Sequence, residues 1–394
     1  MREGWKYKKL KDVASLITDG DWIESRHQSE SGIRLIQTGN VGNGIFKAKD
    51  DKPHYISEDT FLELGCTEIF RGDCLVSRLP EPVGRACIIP EVGCRMITAV
   101  DCTIIRFKDC VLPKLFVYYT RSKQYKREID NSTTGTTRKR ISRKNLESVS
   151  IPLLPVDEQN KIVAELDLLT EIIDKQKQQL KELDTLAQSI FYDMFGNPVE
   201  NDKGWEKKQI GKICTSKKQI QRASKRFKDS DIIRYIDISS IDNINNVMTS
   251  TTSYGFGDAP SRAQQVVEIG DVLISLVRPN LNNVAMVSED GTDLVASSGF
   301  CVLRANCEIV KEFLFYSVKM KCFTDYLMQR VSGANYPAVR EDDIMGYNII
   351  LPPLELQESF AQKIQSIESQ KQSINRSLAE SQKLFDYTMD KYFG

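Results

Sequence analysis

The chain has 394 residues, 41% hydrophobic and 27% charged, with 54 basic side chains balanced by 54 acidic ones. That length normally holds two or more domains, and the composition is that of an ordinary globular protein, neither disordered nor fibrous. A formal net charge of zero excludes a bulk polycation but leaves room for a basic face beside an acidic one. No apolar run is long enough to span a bilayer, and Met1-Arg-Glu-Gly-Trp-Lys-Tyr lacks the apolar core of a signal peptide, so a cytoplasmic location with no membrane partner is expected. Ten cysteines without a Cys-x-x-Cys pair, and only two histidines (His27 and His54), predict free thiols and no metal site.

In chain order, a Trp-led opening at Gly4-Trp5-Lys6 leads into short β-type runs such as Gly32-Ile33-Arg34-Leu35-Ile36-Gln37. Gly72-Asp73 then launches Cys74-Leu75-Val76-Ser77, apolar enough for a buried strand, and Thr103-Ile104-Ile105-Arg106-Phe107 reads as another. An amphipathic helix is expected over 113–128, followed by a Gly-containing loop and a last strand, Val149-Ser150-Ile151-Pro152-Leu153. Proline breaks the chain there, and a long helix runs from Val156 to Phe195. Its apolar stripe falls at Ile162, Leu166, Leu169, Ile173, Leu180, Leu183, Ala187, Ile190 and Met194, with Gln176 completing a four-three spacing. That is a coiled-coil seam. At about 1.5 Å per residue the helix is roughly 60 Å long, too long for an ordinary globular element.

After a turn-rich bridge over 197–204, the same plan returns. Gly4-Trp5 recurs as Gly204-Trp205, and Gly72-Asp73-Cys74-Leu75-Val76-Ser77 as Gly270-Asp271-Val272-Leu273-Ile274-Ser275. Thr134-Gly135 recurs as Ser332-Gly333, and Gln159, Leu180 and Leu186 recur as Gln357, Leu378 and Leu384. Phe195-Gly196 is matched by the closing Phe393-Gly394. The order is constant and the offset nearly so, which makes this an internal repeat. A second long helix is expected from Leu354 to Phe393, with its seam at Phe360, Ile364, Ile367, Ile374, Leu378 and Phe385. Lys371 and Ser381 interrupt it where the first helix has Ile173 and Leu183. The predicted fold is α+β: globular segments at 1–154 and 197–352, each followed by a long helix (155–196 and 353–394).

Catalytic signatures are missing. There is no Gly-x4-Gly-Lys-Ser/Thr loop, no Asp/Asn-Pro-Pro-aromatic methyltransferase motif, no Gly-x-Ser-x-Gly and no His-Glu-x-x-His. Gly42-Asn43-Gly44 and Gly255-Phe256-Gly257 open no convincing helix. The default is a protein that is not itself an enzyme.

Polar chemistry is concentrated in loops at matching places. The last loop of the first copy, Asn131-Ser-Thr-Thr-Gly-Thr-Thr-Arg-Lys-Arg-Ile-Ser-Arg-Lys, offers Thr136, Thr137, Arg138, Lys139, Arg140 and Arg143. Hydroxyls and cations of this kind can approach phosphates, and arginine can reach guanine O6 and N7. The matching loop, Ser332-Gly-Ala-Asn-Tyr-Pro-Ala-Val-Arg, offers Asn335, Tyr336 and Arg340 instead. Further candidates are Arg78 and Arg85 after the buried strand, with Arg278, Asn280 and Asn282 after its copy. Thr38, Asn40 and Ser240 follow the early strand.

The tandem repeat, the Gly-Trp opening, the Gly-Asp strand and Thr-Gly-Thr-Thr running on to Ile151-Pro-Leu-Leu-Pro-Val-Asp-Glu-Gln-Asn-Lys-Ile together resemble the specificity subunit of type I restriction–modification enzymes. Leu351-Pro-Pro-Leu-Glu-Leu-Gln is similar in kind. The resemblance covers the whole chain. It implies a non-catalytic reader of double-stranded DNA with two target recognition domains, one per half of a bipartite site. The two helices would pair as an antiparallel coiled coil in a pseudo-twofold arrangement, setting the spacing of the half-sites. They would carry two modification (methyltransferase) subunits; those subunits, not this chain, would bind S-adenosylmethionine and methylate adenine. Restriction subunits, which translocate and cut DNA, would join them. Two alternatives stand beside this reading: a coiled-coil scaffold without a DNA role, which leaves the arginine-bearing loops unexplained, and the recognition part of a fused methyltransferase, which the missing motifs oppose.

Overall fold

The computed structural model describes residues 5–135, 139–215, 219–332 and 337–394. The chain forms two compact units, one of Met1–Lys177 with Arg376–Gly394, the other of Gln178–Asn375.

In the first unit, the apolar run Cys74–Ser77 lies inside an antiparallel sheet, between Cys102–Phe107 and Ala86–Ile88, and Ala14–Asp19 completes it beyond Cys102–Phe107. All four residues of Cys74–Ser77 are buried, which is why the strand shows no alternation. A second sheet runs in the order Gln28–Ser29, Tyr55–Ile56, Ile33–Ile36, Met96–Thr98, Glu68–Ile69, with Ile33–Ile36 parallel to Met96–Thr98. Lys6–Lys9 pairs antiparallel with Ser150–Leu153 and so ties the opening of the unit to the strand before the long helix.

The second unit repeats the scheme. Val272–Ser275 lies between Val284–Met286 and Phe300–Leu303, Ile232–Ile236 runs parallel to Leu294–Ser297, and Glu206–Gln209 pairs with Asn348–Leu351. The repeated Gly-Asp has a physical reason in both copies. Gly72 and Gly270 take φ of +90° and +93°, a region that favours glycine. The buried Asp73 carboxylate accepts from Phe70 N at 2.9 Å and from Arg106 at 2.8 and 2.9 Å. Asp271 does the same with Glu268 N at 2.9 Å and with Arg304 at 2.9 and 2.8 Å. A buried carboxylate needs such partners, and the forked guanidinium satisfies both oxygens.

The single helix expected over 113–128 is two helices, Pro113–Tyr119 and Lys123–Ser132. Ser122 breaks it: extended at that point, its side chain accepts from Tyr125 N at 3.1 Å and caps the second helix. The counterpart divides likewise into Lys311–Lys319 and Lys321–Met328.

The long helices form as expected, Val156–Phe195 and Leu354–Phe393. Each carries a buried glutamine in its first turn. Gln159 accepts from Leu112 N at 2.8 Å and donates to the carbonyls of Cys110 and Leu154, at 2.7 and 2.8 Å. Gln357 accepts from Val310 N at 2.9 Å and donates to Pro352 O at 2.8 Å. The pair thus anchors the first turn of each long helix to the loop before Pro113–Tyr119 or Lys311–Lys319, which accounts for its recurrence.

Within each unit the helix segments run antiparallel. In the first, Gln176 donates to Ser377 at 2.8 Å and Tyr392 to Glu165 at 2.5 Å. In the second, Lys371 pairs with Asp184 at 3.0 Å. The helices are not free stalks. Ile162, Leu166, Leu169 and Ile173 are buried in the first unit's core beside Phe116, Tyr118, Phe385 and Phe393, with Leu378 partly buried against them. Ile364 and Ile367 are buried in the second unit's core, where Leu183 and Ile190 pack at its margin. Leu180 and Ile374 are half-buried. Two details correct the expected seam. Beyond Ala187 the buried positions are Phe191 and Phe195, not Ile190 and Met194, because a straight helix at 3.6 residues per turn drifts off a strict seven-residue repeat. Lys371 does not weaken the seam as an exposed gap would; it is buried there with its ion partners.

Candidate nucleic-acid interface

Three segments converge in each unit. In the first they are the turn at 38–46, the loop at 78–85 that leaves the buried strand, and the hairpin Thr133–Thr134/Arg140–Ile141. Arg85 joins the first two. Its buried guanidinium donates to Thr38 O at 2.7 Å, Val41 O at 2.6 Å, Leu79 O at 2.7 Å and Pro82 O at 3.0 Å. Gly44 N adds a bond to Ala86 O at 2.9 Å. Arg78 joins the second to the third, since Ile141 N donates to its carbonyl at 3.2 Å. Its own side chain is buried, donates to Val100 O at 2.5 Å and lies 3.3 Å from Asp19. Burial pushes the pKa of both arginines down, and for Arg78 the neighbouring Asp19 works in the opposite direction.

In the second unit asparagines join the first two of the corresponding segments, and backbone bonds hold the third. Asn243 in the turn between Ile241–Asp242 and Val247–Met248 donates to Leu281 O at 3.1 Å, and Asn246 to Asn282 O at 2.8 Å. Asn282 in turn donates to Lys319 O at 3.1 Å. Arg278 N donates to Pro337 O at 2.7 Å and Val339 N to Leu276 O at 2.9 Å, which fastens the last loop. Different residues therefore build one scaffold of three adjoining segments.

The scaffold sorts the residues proposed from the sequence. Arg78 and Arg85 are fastenings, as the bonds above show. Asn40 is buried, accepting from Gln37 N at 2.9 Å and donating to Lys47 O at 2.8 Å, and Ser240 is buried, accepting from Asp237 N at 3.1 Å. Asn282, in left-handed conformation, is half-buried and engaged on both sides. Thr38 is half-buried with its carbonyl taken by Arg85. The side chains of Arg78, Arg85, Asn40, Ser240 and Asn282 are spent on backbone groups of the fold, because a polar side chain beside a tight turn first satisfies the backbone near it. Lys139, Arg140, Arg143, Arg278, Asn280 and Arg340 are exposed. Arg140 lies 2.8 Å from Asp101, and Arg143 lies 3.3 Å from Glu147 one helical turn on. Thr136, Thr137, Arg138, Asn335 and Tyr336 lie outside the described residues.

Among the described residues no group of three or more His, Cys, Asp or Glu side chains is placed to hold a metal ion, and no helix is long and apolar enough to cross a membrane. Residues 2–185 and 202–381 match the family model described as type I restriction modification DNA specificity domain. The chain belongs to this family. Its two specificity-domain copies each carry the three-segment scaffold in the first four-fifths or so of the matched stretch, ahead of the long helix.

Relatives of the specificity-domain family are distant in sequence. The type I restriction enzyme MjaVIII specificity subunit of Methanocaldococcus jannaschii is 24% identical over 278 residues, 66% of this chain and 65% of that protein, just under two thirds of its length. The putative type I restriction enzyme MjaX specificity subunit of the same organism is 20% identical over 387 residues, 93% of this chain and 87% of that one. Among solved structures, the type I restriction–modification S subunit from M. genitalium superposes with a TM-score of 0.57 at 13% identity, covering 100% of this chain and 98% of that one. A chain from a study of assembly and conformational transition of the type I R-M system gives 0.52 at 19% identity, covering 100% and 98%. At these identities the superpositions establish the shared fold.

Proposed function

We propose that this chain is the DNA-reading specificity subunit of a type I restriction–modification complex and performs no catalysis itself. The observation that carries the reading is the three-segment scaffold, built twice in one chain and fastened by different residues. One framework presented twice with different exposed groups suits two half-sites of different sequence. In the first copy Lys139, Arg140 and Arg143 supply cations for phosphates and guanine edges; in the second, Arg278, Asn280 and Arg340 supply a sparser, asparagine-bearing set.

Mapping methylated adenines across the genome of a cell carrying this chain and its modification subunits tests the proposal. One bipartite motif with a fixed spacer is expected, and exchange of residues 197–352 for those of another specificity subunit should change one half of it only. Methylation that persists after deletion of this chain would overturn the reading.

Lys139→Ala with Arg140→Ala and Arg143→Ala should weaken binding to the target duplex by tenfold or more. The slope of log affinity against log salt should flatten by about 0.9 for each phosphate that these cations no longer neutralise. Equilibrium binding at a series of salt concentrations measures both. An unchanged slope would place the DNA elsewhere.

The helices are the proposed platform for two modification subunits, which bring S-adenosylmethionine, and restriction subunits would join that assembly. Leu186 and Leu384, 198 residues apart on the two helices, are 48% and 52% exposed. Large apolar side chains repeated at one exposed position suit two copies of one partner. Leu186→Asp or Leu384→Asp alone should leave one modification subunit bound and the double variant none, as read by native mass spectrometry, with thermal unfolding of the free chain unchanged.

A further inference from the structure

One apolar feature of the scaffold takes no part in these bonds. The turn of the second unit carries Ile244 at its tip, 86% exposed, more than any other large hydrophobic residue among those described. The corresponding turn of the first unit carries Ile45, 59% exposed. Both follow the same two elements: the core strand (Ile33–Ile36 or Ile232–Ile236) and a short 3-10 turn (Thr38–Asn40 or Ile238–Ser240). An exposed isoleucine at one place could be incidental. One on each copy of the same turn, at its tip in the second unit and beside the closing Val41–Phe46 bridge in the first, calls for a common use, since the copies otherwise share few loop residues.

Neither side chain hangs on a loose loop. Asp242 closes the second turn by accepting from Ile244 N at 2.8 Å and Asn245 N at 3.2 Å, and hydrogen bonds from Asn245 and these backbone amides hold its carboxyl below the usual range, although burial works against that. Asn243 and Asn246, on either side of Ile244, fasten the turn to the 278–283 loop. In the first unit, Gly42 N donates to Ile45 O at 2.8 Å and Gly44 N to Ala86 O at 2.9 Å, while Arg85 grips Val41 O. Such bracing fixes the backbone before any partner arrives, and a β-branched side chain has little rotamer freedom left to lose. The isoleucines are therefore rigid apolar points set among groups suited to base edges: Asn245 beside Ile244, and exposed Asn280 and Arg278 on the loop it is fastened to.

We infer that Ile244, and Ile45 in the other unit, are specificity-determining contacts to the 5-methyl group of a thymine in the major groove. This rests on the DNA-reading role proposed above. The thymine methyl is the apolar group that the major groove offers, and arginine and asparagine beside it read the neighbouring polar edges. Burying a methyl against isoleucine discriminates thymine from a base lacking it by roughly three- to tenfold.

The test uses the full chain with its modification subunits and the target duplex found by methylation mapping. Each thymine of the half-site is replaced in turn by deoxyuridine, which removes only the methyl group. With the unaltered chain, one replacement should weaken binding three- to tenfold. Ile244→Ala should weaken binding to the thymine duplex by about the same factor and make that one replacement silent. Ile45→Ala should do the same in the other half-site. If Ile244→Ala binds as tightly as the unaltered chain, or if no deoxyuridine position becomes silent in the variant, the methyl contact is overturned. A weakening in the variant that is equal for thymine and deoxyuridine would assign a wedge between base steps instead. If the unaltered complex does not prefer the mapped duplex over a scrambled one, the DNA-reading role itself fails, a result distinct from all of these.

Discussion

Arg85→Ala is expected to destabilise the first unit by about 3–5 kcal/mol, a lowering of the unfolding midpoint by roughly 10 °C. The side chain is 8% exposed and bonds four backbone carbonyls, with no carboxylate among its hydrogen-bond partners. Its removal leaves Val41 O and Pro82 O without their donor, at about 1–3 kcal/mol each, whereas Thr38 O keeps Val41 N and Leu79 O keeps the Ser77 hydroxyl. Lysine cannot substitute, because one ammonium on a flexible stem cannot reproduce the fork that spans the turn at Thr38 and Val41 and the loop at Leu79 and Pro82. Calorimetry of Arg85→Ala and Arg85→Lys measures the destabilisation. DNA binding should fall with it, but the salt dependence of what remains should match that of the unaltered chain. A variant of full stability with a flattened salt slope would make Arg85 a phosphate ligand after all.

The second large effect is expected at Lys371. Its ammonium, buried in the helix seam, lies 3.0 Å from Asp184 and 3.1 Å from Glu368. Burial opposes its charge, but Glu368 and Asp184 outweigh that, so its pKa stands above the ordinary lysine value. Lys371→Ala should destabilise the second unit by about 2–3 kcal/mol, since Asp184 and Glu368 lose the cation that bridges them and only Lys319, 3.8 Å from Asp184, remains nearby. Lys371→Met with Asp184→Leu should recover most of that, because a packed apolar pair replaces a buried ionic one at little net change. A folded pKa raised above the unfolded one means that the stabilisation is complete below the ordinary lysine range and is lost as pH rises through the raised value. The gap between Lys371→Ala and the unaltered chain should therefore be flat across neutral pH and narrow only in strong alkali. Denaturant titrations at about pH 7 and about pH 11 measure it. The first unit has Ile173 at this point of the repeat, so the ion cluster also distinguishes the two helix pairings, as single polar seam positions do in coiled coils.

Much of the architecture is legible in the sequence because it is written in local pattern and then written again. The four-three spacing from Ile162 to Ile173, the apolar runs Cys74–Ser77 and Val272–Ser275, and the glycines before Asp73 and Asp271 each follow from conformation or burial within a few residues. Repetition at 198 residues marks Gln159 and Gln357 as significant before any bond is visible. The site is legible only in outline. Its three segments lie where the polar loops point, yet Arg78, Arg85, Asn40 and Ser240 turn inward to the fold, and nothing in the pattern singles out Ile45 and Ile244. Residue type near a turn does not reveal whether a side chain faces inward or outward, and an exposed isoleucine looks in sequence like one more core residue.

The amino-acid sequence by itself determined the α+β repeat, the two long helices and the loops that adjoin the buried strands, since hydrophobic period, turn chemistry and helix-breaking proline are local properties. Only the tertiary structure decided which polar groups are spent on the fold. Arg85 reaches carbonyls up to 47 residues away and Lys371 reaches across 187 residues to Asp184. A buried polar group must take the partners that folding brings to it, and those distances are not written in the neighbouring residues.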